Sequence, residues 1–526
     1  MLDIIVILAY FCAIFGIGLY VGRRQDSLES YALGNRSMPW WAILASIIAA
    51  EISAATFLGT PGEGFALRNF TYVQLGIGTL LGRIVVGRLF LKPYYDYKVV
   101  SIYEYLEKRF GVSTRRWASA TFLVSRVLAS GTRLFFAGIL LVLAYMFVAG
   151  QESATQGETV VIYIAALTLI TIATAVYTTL GGLKAVVWTD VLQSSILFIA
   201  VFTTIGILLF SIKGGGTWAG AWDSICSTLG NTDYNPCKVE HLQPGKVFDL
   251  GLTGQGLVAD IKNILGSEYT LWTAFLGATF LTMATHGTDQ DMVQRMLAAK
   301  DNKTGTRAVI LSGILDMPIV LVFLTCGMLL FVYYAQNGIL PPEKQIEIFP
   351  HFIIHHLPAG VRGLLVAALL ATAMGSLSTA LNALATTATR DWYRDVFRPQ
   401  ATEAQMLRAV RVLTVAFAAL LIAVGAAAAW YSVMDPTVRI LPIALGIFGY
   451  TYGSLLGVFL LGMLTRTRGN DTGNIIAMLA GFIVVIALEL GGRQELLPVI
   501  AFPWRVTIGT LATFLVGACF PGKQRG

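Results

Sequence analysis

Charge is scarce in this chain. Asp, Glu, Lys and Arg make up 13% of its 526 residues, about half the share of a soluble globular domain. Hydrophobic residues make up 56% and the mean hydropathy is +0.70, so there is too little polar surface to face water on every side. Histidine and cysteine number five each and do not cluster. Without a CxxC, an HExxH or a nucleophile paired with a base, an enzyme, and a metal enzyme above all, lacks its parts. Cys12, Cys326 and Cys519 lie in apolar runs, where a small apolar role is usual. Cys226 and Cys237 share one loop, as a disulfide in an oxidising compartment or as two free thiols. The first apolar run has neither a basic segment before it nor a small-residue cleavage site, so it is expected to remain as a membrane span.

What the chain has is long apolar runs. Crossing a bilayer takes about 20 residues, and thirteen runs are long enough: approximately 2–22, 40–62, 71–91, 117–148, 159–180, 185–212, 269–290, 308–335, 358–389, 409–432, 440–464, 473–490 and 499–520. With the N-terminus outside, the inside connections hold 23 Lys and Arg and the outside connections eight. Positive charge stays on the cytoplasmic side. The expectation is a multi-pass protein of an inner or plasma membrane, N-terminus out and C-terminus in. The net charge of +7 then reflects orientation, and no nucleic-acid partner is implied.

Two of these runs are interrupted. Trp40-Trp41 opens an aliphatic stretch that meets Glu51, Ser53 and Thr56, then Gly59-Thr60-Pro61-Gly62. In hydrocarbon every backbone N–H and C=O needs a partner, so a broken helix survives only where it is buried in protein or lines a cavity. The second lies near 274–291, where Thr282, Thr285, His286 and Gly287 play the same part. These are the second and seventh runs, and paired interruptions in two halves point to an inverted-repeat carrier with its site at the breaks.

Four blocks then carry a resemblance: Gly181-Gly-Leu-Lys-Ala-Val-Val-Trp-Thr-Asp-Val-Leu-Gln193, Gly287-Thr-Asp-Gln-Asp-Met-Val-Gln-Arg295, Asp391-Trp-Tyr-Arg-Asp395 and Tyr450-Thr-Tyr-Gly-Ser-Leu-Leu-Gly457. Together they resemble the sodium/solute symporter family along nearly the whole chain. The resemblance implies an all-α membrane protein with the LeuT-type fold, whose members move sugars, amino acids, carboxylates, vitamins or sialic acid with sodium. It divides the chain into an extra helix and loop (1–39), a first inverted repeat (40–212), an extracellular loop (213–268), a second repeat (269–464) and two closing helices with a short tail (465–526).

The same resemblance places a sodium ion between backbone oxygens of Ala49, Ile52 and Thr372 and the positions of Gly375 and Ser376, although Gly375 has no side-chain oxygen to give. Oxygen ligands suit a hard cation; small residues at these positions also suit close helix packing. A possible second sodium, found in sialic acid relatives, falls on Gly375, Ser378, Thr379 and Asp190, where Asp190 is alternatively a charge that stabilises a helix end. Chamber positions fall on Thr56, Gly76, Thr79, Thr282 and Thr285. Their side chains leave room for a small anion or organic acid and offer little to a polyol.

Three charges lie deep in apolar runs. Glu51 and Asp316 are candidate coupling residues, since a carboxylate at that depth must be paired, cation-bound or protonated. Arg133 corresponds to an Arg that binds substrate carboxylate in the sialic acid branch, or else pairs with Glu51 or Asp316; Arg126 serves in either role, and Arg83 is taken as structural. The expectation is a sodium-coupled importer of a carboxylate-bearing solute such as a monocarboxylate or sialic acid, working as a monomer by alternating access, with no cofactor beyond the coupling ion. Its rivals are proton coupling on the same scaffold, a sugar or amino-acid symporter, or a membrane sensor that transports poorly.

Overall fold

A computed structural model describes residues 1–22, 25–151, 154–213, 216–229, 245–435 and 440–522. Its regular elements, among these residues, are helices. Nine are long and apolar enough to cross a membrane, or ten if one bent pair is a single span. Helix α1 (Leu2–Val21) leads into that bent pair, α2 (Trp40–Glu51) and α3 (Ala54–Leu67). There follow α4 (Leu75–Val85), α5 (Val112–Ala149) and α6 (Gln156–Ser211). The second half holds α7 (Ala278–Gly287), α8 (Gln290–Leu297), α9 (Asn302–Asn337), α10 (Ile348–His356) and α11 (Val361–Thr387). Helices α12 (Glu403–Met434), α13 (Ile440–Leu464), α14 (Asp471–Arg493) and α15 (Phe502–Ala518) close the chain.

Two expected runs, 159–180 and 185–212, lie in α6, which is two helices joined at a kink at Gly182, where φ is +56° and ψ −159°. At 1.5 Å per residue each part is long enough for one crossing of a hydrocarbon core of about 30 Å. Only glycine takes that φ without strain, and a side chain there would strike Tyr31. At the centre runs α11, rich in Ala, Gly, Ser and Thr and almost wholly buried. Small residues let neighbouring backbones come close where no hydrophobic drive separates protein from lipid.

The breaks are tighter than the sequence suggested. The first is confined to Ile52 and Ser53 and bends the span by 68°. Gly59 to Gly62 stay helical, with Pro61 inside α3. The glycines near Pro61 serve packing instead: a side chain on Gly64 would strike the Leu324 carbonyl, and one on Gly327 the Pro61 carbonyl. The second break falls at Thr288 and Asp289, beyond Thr282 and Thr285, because the Asp289 carboxylate accepts from the Asp291 N–H and starts α8. The connection between α6 and α7 carries two short helices, Trp218–Leu229 and Leu257–Gly266. The Cys226–Cys237 pairing lies outside the described residues.

Candidate functional site

The first break frees a carbonyl. In an unbroken helix the Ser53 N–H would donate to Ala49; here it donates to the Glu51 carbonyl at 2.9 Å. The Ala49 oxygen is thereby left facing α11, 3.5 Å from where a Cβ on Gly375 would stand. On α11 the expected hydroxyls donate back along their own helix: Thr372 to Leu369 (2.8 Å), Ser376 to Thr372 and Ala373 (3.1 Å each), and Ser378 and Thr379 to Gly375 (3.0 and 2.9 Å). A hydroxyl whose proton is so engaged presents its lone pairs outward as acceptors. Asp190 reaches the same Cβ position, with Oδ1 3.5 Å from it. It sits eight residues beyond Gly182, inside α6, so it is not a helix-end charge.

Glu51 turns away from this place. Its carboxylate pairs with the Arg83 guanidinium and lies 2.9 Å from His286 Nε2. Arg83 also donates to Ser312 (2.9 Å) and stands 4.0 Å from Asp316, whose other oxygen accepts from the Thr79 hydroxyl at 2.9 Å. Glu51 therefore does not stand in for the oxygen missing at Gly375; it is the negative pole of a network across α2, α4, α7 and α9. The pairing also offsets an unfavourable placement, since Glu51 is the last residue of α2, where the helix dipole is already negative. Glu51 and Asp316 keep 21% and 25% of their side-chain surface exposed.

A second buried network joins three of the four sequence blocks, and a separate set of pairs holds the fourth. Arg126 pairs with Asp289 (3.0 Å) and Asp291, and Tyr452 donates to Asp289. Arg295 holds Asp291 (2.7 Å), Asp190 (3.4 Å) and the Ser46 hydroxyl (2.8 Å), and Ser46 donates to Asp190 at 2.5 Å. Asp391 takes Arg115 and the Ser101 hydroxyl. Residues hundreds of positions apart are thus motifs because they are mutual counter-ions, and in a low-dielectric interior removing one leaves its partner unpaired.

Arg133 belongs to neither network. Its guanidinium carbon lies 4.6 Å from the Phe448 ring centroid, and among the described residues no carboxylate lies within 4.0 Å of it. The alternative of a pair with Glu51 or Asp316 is corrected: both are engaged by Arg83. Arg133 lines a narrow cleft with Ala50, Ala54, Ser130 and Ser376. Arg126 reaches the same cleft but is already paired. The remaining expected positions divide. Thr56, Thr79 and Thr285 are half-buried, and Thr285 contacts His286 Nδ1 at 2.9 Å. Gly76 and Thr282 pack instead: a side chain on Gly76 would strike Met317, and one on Gly82 would come 2.6 Å from Thr282.

Sequence reasoning took Arg83 as structural and gave no role to Gln193, whose Oε1 stands 2.9 Å from a Cβ placed on Gly375. Arg83 carries the signal that singled out Glu51 and Asp316, a lone charge in an apolar run.

Comparison with known proteins follows the same lines. The profile of the Sodium:solute symporter family matches residues 31–481. A sodium/sialic acid symporter of Aliivibrio fischeri is 27% identical over 519 residues, covering 98% of this chain and 92% of that protein. A sodium-dependent multivitamin transporter of Oryctolagus cuniculus is 30% identical over 492 residues, covering 90% and 68%. A solved structure of a Na+-coupled sialic acid symporter in a substrate-bound outward-open state superposes with a TM-score of 0.78 at 24% identity, covering 100% of this chain and 99% of the other.

Proposed function

Since this chain belongs to the sodium:solute symporter family, we propose that it couples sodium entry to import of a small carboxylate-bearing solute through the space between its two broken helices. The sodium-coupled relatives and the shared fold support the coupling; the observation that carries the substrate class is Arg133. A guanidinium in an apolar run, with no carboxylate within 4.0 Å among the described residues, is costly to keep unless its counter-ion arrives with the substrate. Its planar fork suits a carboxylate, and the relatives' sialic acid is such an acid.

Sodium binds beside the released Ala49 carbonyl, with Ile52, Thr372 and Ser376 adjacent, and stabilises the outward-open arrangement. Asp190, Ser378 and Thr379 form its deeper wall. Thr56, Thr79 and Thr285 border the solute. The repeats 40–212 and 269–464 then rock about the site, and low internal sodium empties it toward the cytoplasm, with the protein working as a monomer in a plasma or inner membrane, N-terminus out. Reconstituted liposomes with an inward sodium gradient test this reading: labelled carboxylates accumulate, and a pH gradient in potassium does not replace sodium. Equal uptake in the pH gradient would move the coupling to protons.

A further inference from the structure

The ion site of the sodium-coupled reading can be specified further, and this inference rests on that reading. The resemblance gives two ligand groups, one at Ala49 and Ser376 and one at Asp190, Ser378 and Thr379, and both call for a side-chain oxygen at 375. In this chain they converge on one point. A Cβ on Gly375 would stand 2.9 Å from Gln193 Oε1 and 3.5 Å from both Ala49 O and Asp190 Oδ1. Asp190 is 0% and Gln193 1% exposed, and neither Oδ1 nor Oε1 receives a hydrogen bond. Gln193 Nε2 donates to the Tyr10 hydroxyl at 3.3 Å, which turns Oε1 toward Gly375. Ser46 and Arg295 hold the other Asp190 oxygen, which leaves Oδ1 for the same point.

Three acceptor oxygens directed at one buried spot without a donor repel one another in a low-dielectric interior. A small hard cation reconciles them. We propose that one sodium ion sits against Gly375, bound by Ala49 O, Asp190 Oδ1 and Gln193 Oε1, and that Gln193 provides the oxygen which a hydroxyl-bearing residue at 375 would otherwise give. The glycine is part of the site, because any side chain at 375 presses on Oε1 and takes the ion's place. The carboxylamide and the glycine form an exchangeable pair: the oxygen comes from one position or from the other.

Binding of ²²Na+ to the purified full-length protein, with potassium-buffer melting temperatures as the folding control, tests this directly. Gln193→Ala weakens binding by about 10- to 100-fold, the loss expected for one contact to a charged partner. Gly375→Ala weakens it similarly although every ligand is retained. The double variant Gln193→Ala/Gly375→Ser recovers most of the loss, because the hydroxyl returns the oxygen. If Gln193→Ala does not fold, Gln193→Glu decides: a ligand role keeps sodium binding, whereas an amide donating to Asp190 loses it. Wild-type affinity in Gln193→Ala, or no recovery in the double variant, overturns the proposal. Absence of sodium binding in the wild type would instead sink the sodium-coupled reading on which it rests.

Discussion

Glu51 Oε1 lies 2.9 Å from His286 Nε2, so the end of α2 stands against the last turn of α7. Arg83 completes the contact from α4 and reaches toward Asp316 on α9. Four helices are thereby linked by charges that hydrocarbon tolerates only when they are paired.

Glu51→Gln is therefore expected to cost stability more than sodium affinity. Arg83, 1% exposed, keeps only Ser312 and the more distant Asp316, and breaking such a buried pair costs about 3 kcal/mol or more. The melting temperature falls, while the sodium concentration for half-maximal uptake stays near its wild-type value. Arg83→Met/Glu51→Gln costs less than the sum of the single changes, since neither partner is left alone. Additive losses would show that the two residues do not act as a pair.

Arg133 and Arg126 occupy the same cleft and α5, yet they are expected to fail differently. Arg133→Ala raises KM about 10- to 100-fold for carboxylates, the worth of a charge-assisted contact, and leaves the fold intact. Arg126→Ala strips the counter-ion from Asp289 and Asp291 and lowers the melting temperature with or without solute. Kinetics of acids and of their neutral amides separate the two; an equal loss for acids and amides in Arg133→Ala would make it a folding residue.

Two glycines near the α3–α9 crossing, Gly327 on α9 and Gly59 on α3, give opposite expectations. Gly327→Ala drives a methyl into the Pro61 carbonyl and to within 2.8 Å of Phe65 N, both backbone atoms with no rotamer to yield, and costs about 1–3 kcal/mol. Gly59→Ala meets nothing within 4 Å and gains about 1 kcal/mol of helix propensity. Melting temperatures of the two variants, one below and one at or above wild type, check the close crossing of α3 and α9.

Outside the spans, and against the sequence reading of scattered histidines, α10 gathers three of the five, His351, His355 and His356. His351 accepts from or donates to the Tyr334 hydroxyl at 2.7 Å, and burial together with His355 and His356 lowers its pKa to about 4 from the ordinary 6.5. A histidine lowered in the folded state favours the neutral form there. Stability is accordingly flat above pH 6.5 and is lost progressively as pH falls from 6.5 toward 4. The melting temperature should drop over that window, and His351→Asn should flatten part of the drop. Identical slopes in both proteins would remove His351 from the account.

Much of this was legible in the residues. Apolar runs gave the spans because hydrocarbon demands length and low charge, and Glu51 with Ser53 marked the first break to within a residue. Gly59-Thr60-Pro61-Gly62 misled, because the stretch stays helical within α3, and the close crossing with α9 is made at Gly64 and Gly327. Asp190 and Arg133 were identified as charges of consequence, but their partners were not. Arg83 and Arg295 lie 32 residues from Glu51 and 105 from Asp190, and sequence separation carries no sign of such pairings. Gly375 looked like a defect in an ion site until Gln193, from a different helix, was found facing it.

The most direct measurement is the melting temperature of the purified protein titrated with sodium, against potassium and choline at equal ionic strength. A ligand that binds the folded state alone raises apparent stability with its own saturation curve. Sodium coupling predicts a saturable rise in sodium and none in the other two cations. Superimposable curves in all three would contradict it.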